Sequence, residues 1–186
     1  MNESLLYLFR HNAWATKTIL DVCRALTPEQ LIAPASATYG SILETFNHLV
    51  TSDGGYLKSL GGPMTPWIAE RERELEKYKE HWINDEARER VVDLDELALR
   101  MDETERLWAS FLAKEEFDPE RVCILDLGTY ECPAGIVMAQ SFHHGSLHRE
   151  QICAILTGFG IEPPDIQPWG FADDTGLSRF VGGRTS

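Results

Sequence analysis

No stretch of the 186-residue sequence approaches the roughly 20 consecutive apolar residues that carry a helix across a bilayer. Basic residues are also scarce, 17 Lys and Arg against 30 Asp and Glu, for a formal charge of -13. That balance argues against nucleic acid or an anionic membrane as a partner, because a polyanion needs a basic face to displace its counterions. The four cysteines, Cys23, Cys123, Cys132 and Cys153, contain no CxxC spacing, so neither a zinc ribbon nor a thioredoxin-type redox pair is supported. The start, MNESLLYLFRHNAW, has an acid, an Arg and a His where a signal peptide needs a basic beginning and an unbroken apolar run. A cytoplasmic chain with free thiols is therefore expected. The exception to watch is Cys123 with Cys132, which a hairpin turning around Leu127 and Gly128 would set opposite each other. There is no glycine-rich phosphate loop, nucleophile elbow, kinase motif or internal repeat.

What the chain does have is 43% hydrophobic residues arranged at helical spacing, enough for one domain with a real core. A first helix is expected over about 3–26, with Leu5, Phe9, Asn12, Ala13, Thr16, Ile19, Leu20 and Cys23 on one face. A second, about 41–60, opens on the capping box Ser-Ile-Leu-Glu and stops at Gly61, Gly62 and Pro63. The third, about 94–113, carries Leu94, Leu97, Met101, Thr104, Trp108 and Phe111 on one stripe. The fourth, about 133–159, starts at Pro133, whose missing amide costs nothing in a first turn. Between the second and third lies the charged stretch AERERELEKYKEHW, expected to be a partly helical crossover. The tail, 160–186, should be extended, anchored by Trp169 and Phe171. These elements make an all-α four-helix bundle in a single domain, with a long crossover between helices two and three and one short β-hairpin before the fourth.

The stretch FHHGSLHREQI, Phe142 to Ile152, places three histidines within six positions. Residues four apart on a helix lie about 40° apart around its axis and about 6 Å apart along it. His144 and His148 therefore share a face, the geometry by which two imidazoles on one helix reach one metal ion, while His143 points elsewhere. Spacing alone also permits coincidence. Of the remaining histidines, His11 falls opposite the first helix's apolar face and His81 lies in the charged crossover, so both are expected in solvent. His48 sits on a polar stripe of Ser41, Glu44, Thr45, Thr51, Ser52 and Gly55, which reads equally as a solvated face or as the lining of a site between helices.

Four segments carry a resemblance. HNAWATKTIL is similar to the Tyr-Asn-x-Trp-Ala-Asn motif on the first helix of the DinB/YfiT-like family of metal-binding four-helix bundles. ILETFNHLV resembles that family's segment with a lone histidine, and FHHGSLHREQI its NHGTHHRGQI-like segment. PPDIQPWGFA is similar to the family's Pro-x-Asp-x-x-Trp-x-Tyr ending, so the likeness runs through nearly the whole chain in order. Thr16 replaces the motif's second Asn and Leu147 stands where another His is frequent. The resemblance implies that His48, His144 and His148 are the metal ligands, one from the second helix and two from the fourth. It also matches Arg149 and Gln151 to the Arg-x-Gln that follows. Three neutral imidazoles leave a coordination position for water or substrate, as catalytic rather than structural sites do. Ligand type does not identify the ion; zinc is the first expectation and nickel the second.

The family includes S-transferases and isomerases that use low-molecular-weight thiols such as bacillithiol or mycothiol. The resemblance thus implies a divalent-metal-dependent, thiol-dependent S-transferase acting on a small-molecule substrate. A metal-dependent hydrolase working through bound water, or a non-catalytic metal-binding, stress-associated bundle, stands as the alternative. Glu44, one turn before His48, and Gln151, almost one turn after His148, are candidates for orienting ligand or substrate, although capping already explains Glu44. Arg149 falls off the ligand face and is expected in a structural ion pair. A homodimer is expected, as is common in the family.

Overall fold

The computed structural model of the chain describes residues 3–77, 91–114, 117–125 and 130–179. They run in the order α1 (Glu3–Cys23), α2 (Pro28–Ile32), α3 (Ile42–Ser59), α4 (Pro66–Lys77), α5 (Leu94–Lys114), β1 (Val122–Leu125), β2 (Tyr130–Pro133), α6 (Ala134–Gly158) and α7 (Pro168–Asp174). The long helices α1, α3, α5 and α6 form the bundle. Both α5 and α6 pack against both α1 and α3, which puts α1 and α3 at opposite corners. No helix among the described residues is long and apolar enough to cross a membrane.

Local chemistry sets the helix ends. Ser41 Oγ accepts from the Glu44 amide at 3.3 Å while Glu44 Oε2 accepts from the Ser41 amide at 2.8 Å, the reciprocal box expected for α3. Asp93 Oδ1 takes the Glu96 amide at 2.9 Å and so opens α5. Gly61 and Gly160 have φ of +79° and +74°, the left-handed geometry that ends α3 and α6. The first helix stops at Cys23, earlier than expected, because Thr27 starts a separate short helix. Its own capping box with Gln30, and Pro28 in the first turn, are the cause.

The core is two apolar clusters with a polar layer between them. One contains Ile19, Phe46, Leu97, Ile152 and Leu156; the other contains Phe9, Leu57, Trp108, Val137 and Met138. Each such side chain, fully buried, stabilises the fold by about 1.5–3 kcal/mol. Between the clusters every long helix turns polar or small: Asn12 and Thr16 on α1, Asp53 on α3, Thr104 on α5, and Ser141, Gly145 and Arg149 on α6. The histidines belong to this level of the bundle.

Several peripheral elements correct or refine the sequence expectations. The charged stretch is helical as α4 through Lys77, with Ile68 buried, Lys58 paired to Glu72 at 2.5 Å and Arg100 over the Trp67 ring at 5.4 Å. Its remainder, 78–90 with His81, lies outside the described residues. The hairpin is present, with Cys123 directly opposite Cys132, both buried free thiols; the turn at Leu127 and Gly128 lies outside the described residues. The tail is not extended throughout, since Pro168–Asp174 is helical. Phe171 is its buried anchor, but Trp169 is 79% exposed and anchors nothing. His11 is not a solvent residue either: its Nε2 meets the Ile166 carbonyl at 2.8 Å and its ring packs edge-on to Phe171.

Candidate metal centre

The antiparallel packing of α3 on α6 brings His48 to the pair on α6. One ring nitrogen from each of His48, His144 and His148 lies within 4.8 Å of the others, and His144 Nε2 is 3.0 Å from His48 Nε2. The ring centroids are 4.9 Å apart for His48 with either partner and 4.3 Å for His144 with His148. Zinc–nitrogen bonds of about 2.0–2.1 Å in a tetrahedron separate ligand nitrogens by about 3.3 Å, so small adjustments suffice to share one ion. His143 is exposed and takes no part. The polar stripe on α3 is not a solvated face: Ser41, Thr45 and Thr51 are buried, and His48 is partly so.

Protonation favours ligand chemistry. Burial first, then the neighbouring His148, His48 and His143, push His144 from its ordinary 6.5 down to about 3. His144 is therefore neutral at pH 7, with a lone pair to donate. His148 Nδ1 lies 2.8 Å from Gln151 Oε1; the amide oxygen can only accept, so Nδ1 carries the proton and Nε2 is left as a donor to a cation. Among the described residues no cysteine or carboxylate joins the three histidines. The donor set fits a divalent cation with at least one position left for an exogenous ligand.

The surroundings divide into two sides. On one, the Tyr39 ring stacks on His48 at 4.0 Å and 12° and meets His148 edge-on, while Tyr56 meets His144 edge-on at 5.6 Å. On the other is the polar layer. Arg149, 2% exposed, donates to Asn12 Oδ1 at 2.6 Å, to Thr16 Oγ1 at 3.2 Å and to Ser146 Oγ at 3.2 Å. Its hydrogen bonds go to neutral oxygens, which corrects the expected ion pair, although the field of Asp53 acts on it. Burial pushes Arg149 down to about 10 and Asp53 up to about 6, so desolvation outweighs their mutual attraction at both groups. Ser141 Oγ meets Asp53 Oδ1 at 3.3 Å.

Of the candidate orienting residues, Gln151 touches a histidine directly, whereas Glu44 Oε2 is engaged by the Ser41 amide and hydroxyl at the helix start. Tyr39 and Tyr56 escaped sequence reasoning. Tyr39 belongs to a loop without periodicity, and Tyr56, one turn after Ser52, prolongs the polar stripe of α3 that periodicity left ambiguous.

Comparison with known proteins agrees with this architecture. A DinB-like protein from Bacillus cereus ATCC 10987 is similar in structure, with a TM-score of 0.63 at 18% identity, over 89% of this chain and 97% of that one. No curated protein matches the sequence. The sequence model of the DinB family matches residues 1–175, and the chain is accordingly a member of the DinB family.

Proposed function

We propose that His48, His144 and His148 hold one divalent cation, zinc first and nickel second, and that the centre serves a low-molecular-weight-thiol-dependent S-transferase. The observation that carries the reading is the convergence of three imidazoles, joined by no cysteine or carboxylate among the described residues. Such a set leaves the ion's full charge available to an incoming ligand. When bound, the cation would lower the pKa of a thiol from its free value of about 8.5 and hold it as thiolate.

The chain's own residues supply orientation and selectivity. Gln151 keeps the Nδ1 proton on His148 and so aims Nε2 at the centre. Tyr39 and Tyr56 flank the histidines with uncharged aromatic surface, which suits a neutral, apolar electrophile better than a phosphate or carboxylate. In the reaction the thiol sulfur gives up its proton to solvent and forms a bond to the electrophilic carbon. The leaving group departs with the bonding electron pair.

The test is consumption of a neutral aryl halide by the zinc- or nickel-loaded protein with bacillithiol, mycothiol or cysteine. Turnover should need the thiol and disappear with chelator or with His144→Ala. Fully metal-loaded protein that consumes no electrophile in the presence of these thiols, or that turns over esters in thiol-free buffer, would replace this reading with a binding protein or a hydrolase.

A further inference from the structure

The loop between α2 and α3 is built more tightly than its exposure requires. Ala37 has φ of +62°, a left-handed conformation that residues other than glycine seldom adopt. Thr38 Oγ1 closes the turn on the Ala35 and Gly40 carbonyls at 3.2 and 2.9 Å. These contacts deliver Tyr39, 52% exposed, flat onto the imidazole of His48 and edge-on to His148. The Tyr39 amide donates to Gln151 Oε1 at 3.2 Å, the same oxygen that takes His148 Nδ1 at 2.8 Å. One amide oxygen thus fixes both the tautomer of a histidine on α6 and the position of the loop that covers a histidine on α3.

We propose that Tyr39 is a positioning residue of the histidine centre. Its ring sets the plane of His48 so that Nε2 faces the other two imidazoles, and the shared Gln151 oxygen ties that placement to His148. This rests on the metal-centre reading above. An imidazole on a partly exposed side chain rotates about its last torsion between broad wells, and an aromatic ring at 4.0 Å and 12° removes most of that freedom. A loop held in an unfavourable backbone conformation for the sake of one side chain is what such a role requires.

Cobalt(II) serves as the probe, because its visible d–d bands report ligand geometry without any need for turnover. Affinity and spectrum are compared for wild type, Tyr39→Phe, Tyr39→Leu, Tyr39→Ala and His144→Ala. Far-UV circular dichroism and apo-protein melts establish that each is folded. Tyr39→Phe should match wild type. Tyr39→Leu, which keeps bulk without a flat ring, and Tyr39→Ala should bind about tenfold more weakly, the lower end of the loss seen for residues that orient ligands, with shifted bands. Wild-type affinity and bands in Tyr39→Leu and Tyr39→Ala, together with loss of cobalt in His144→Ala, would overturn the role of Tyr39 and leave the metal centre standing. Cobalt bound equally by His144→Ala would overturn both.

Discussion

Gly145 lies between His144 and His148, and substituting it by alanine tests whether the polar layer behind the histidines is as closely fitted as its distances indicate. A Cβ at this position would stand 2.6 Å from Asn12 Oδ1 and 3.0 Å from Arg149 Nη1. The Asn12 oxygen cannot swing aside freely, because it holds the buried Arg149 guanidinium at 2.6 Å. Alanine in an unobstructed helix interior gains about 1 kcal/mol over glycine, and overpacking a filled core costs about 1–3 kcal/mol. Gly55 on α3 supplies the internal reference, since a Cβ there meets nothing within 4 Å. Gly55→Ala should therefore stabilise the fold by up to about 1 kcal/mol, whereas Gly145→Ala should be neutral to destabilising by about 2 kcal/mol. The propensity gain is common to both, so the gap between the variants isolates the clash at about 1–3 kcal/mol. Urea melts followed by far-UV circular dichroism measure it, with the m-value checked for constancy. Equal stabilisation by the two substitutions would refute the close approach of α1 to α6 at Asn12.

Two further expectations concern the ends of this network. Asp53 has a folded pKa of about 6, raised from 3.8 chiefly by burial. The folded chain keeps a proton that the unfolded chain releases between those values, so the stability linked to this group is complete below about pH 4 and lost as pH rises through about 6. Asp53→Asn should accordingly melt above wild type at about pH 7.5, with the gap closing towards about pH 4; a wild type that is the more stable at about pH 7.5 contradicts this sign. His11→Ala removes the bond to the Ile166 carbonyl and the edge contact to Phe171, loosening α7 by about 1 kcal/mol. Limited proteolysis with mass spectrometry should find faster cleavage around α7, and an unchanged pattern would show that the tail is held by other contacts.

What could be read from sequence was what is local. The Ser41–Glu44 box, the glycine stops and the shared face of His144 and His148 all depend on residues within a turn or two of each other. The short helix after Thr27 is equally local, encoded in Thr-Pro-Glu-Gln directly beyond the expected end of the first helix. His48 could not be placed from its own helix, because its polar neighbours Ser41, Thr45 and Thr51 are buried and not in water, and only tertiary packing decides that. The family resemblance, not periodicity, singled it out. Arg149 departs from the expected ion pair for the complementary reason: its angle on α6 turns it away from His144 and His148 and towards Asn12 and Thr16 of α1, a long-range pairing invisible to any single-helix pattern. His11 points away from the bundle core as its angle requires, but the returning tail covers that side.

The central claim, that histidines from two helices share one ion, is tested most directly by metal analysis of protein purified without chelators, comparing wild type with His48→Ala. About one equivalent of divalent metal per chain in wild type, and little in the variant, is expected from a three-histidine site that loses one ligand. Equal, near-stoichiometric metal in both would contradict it.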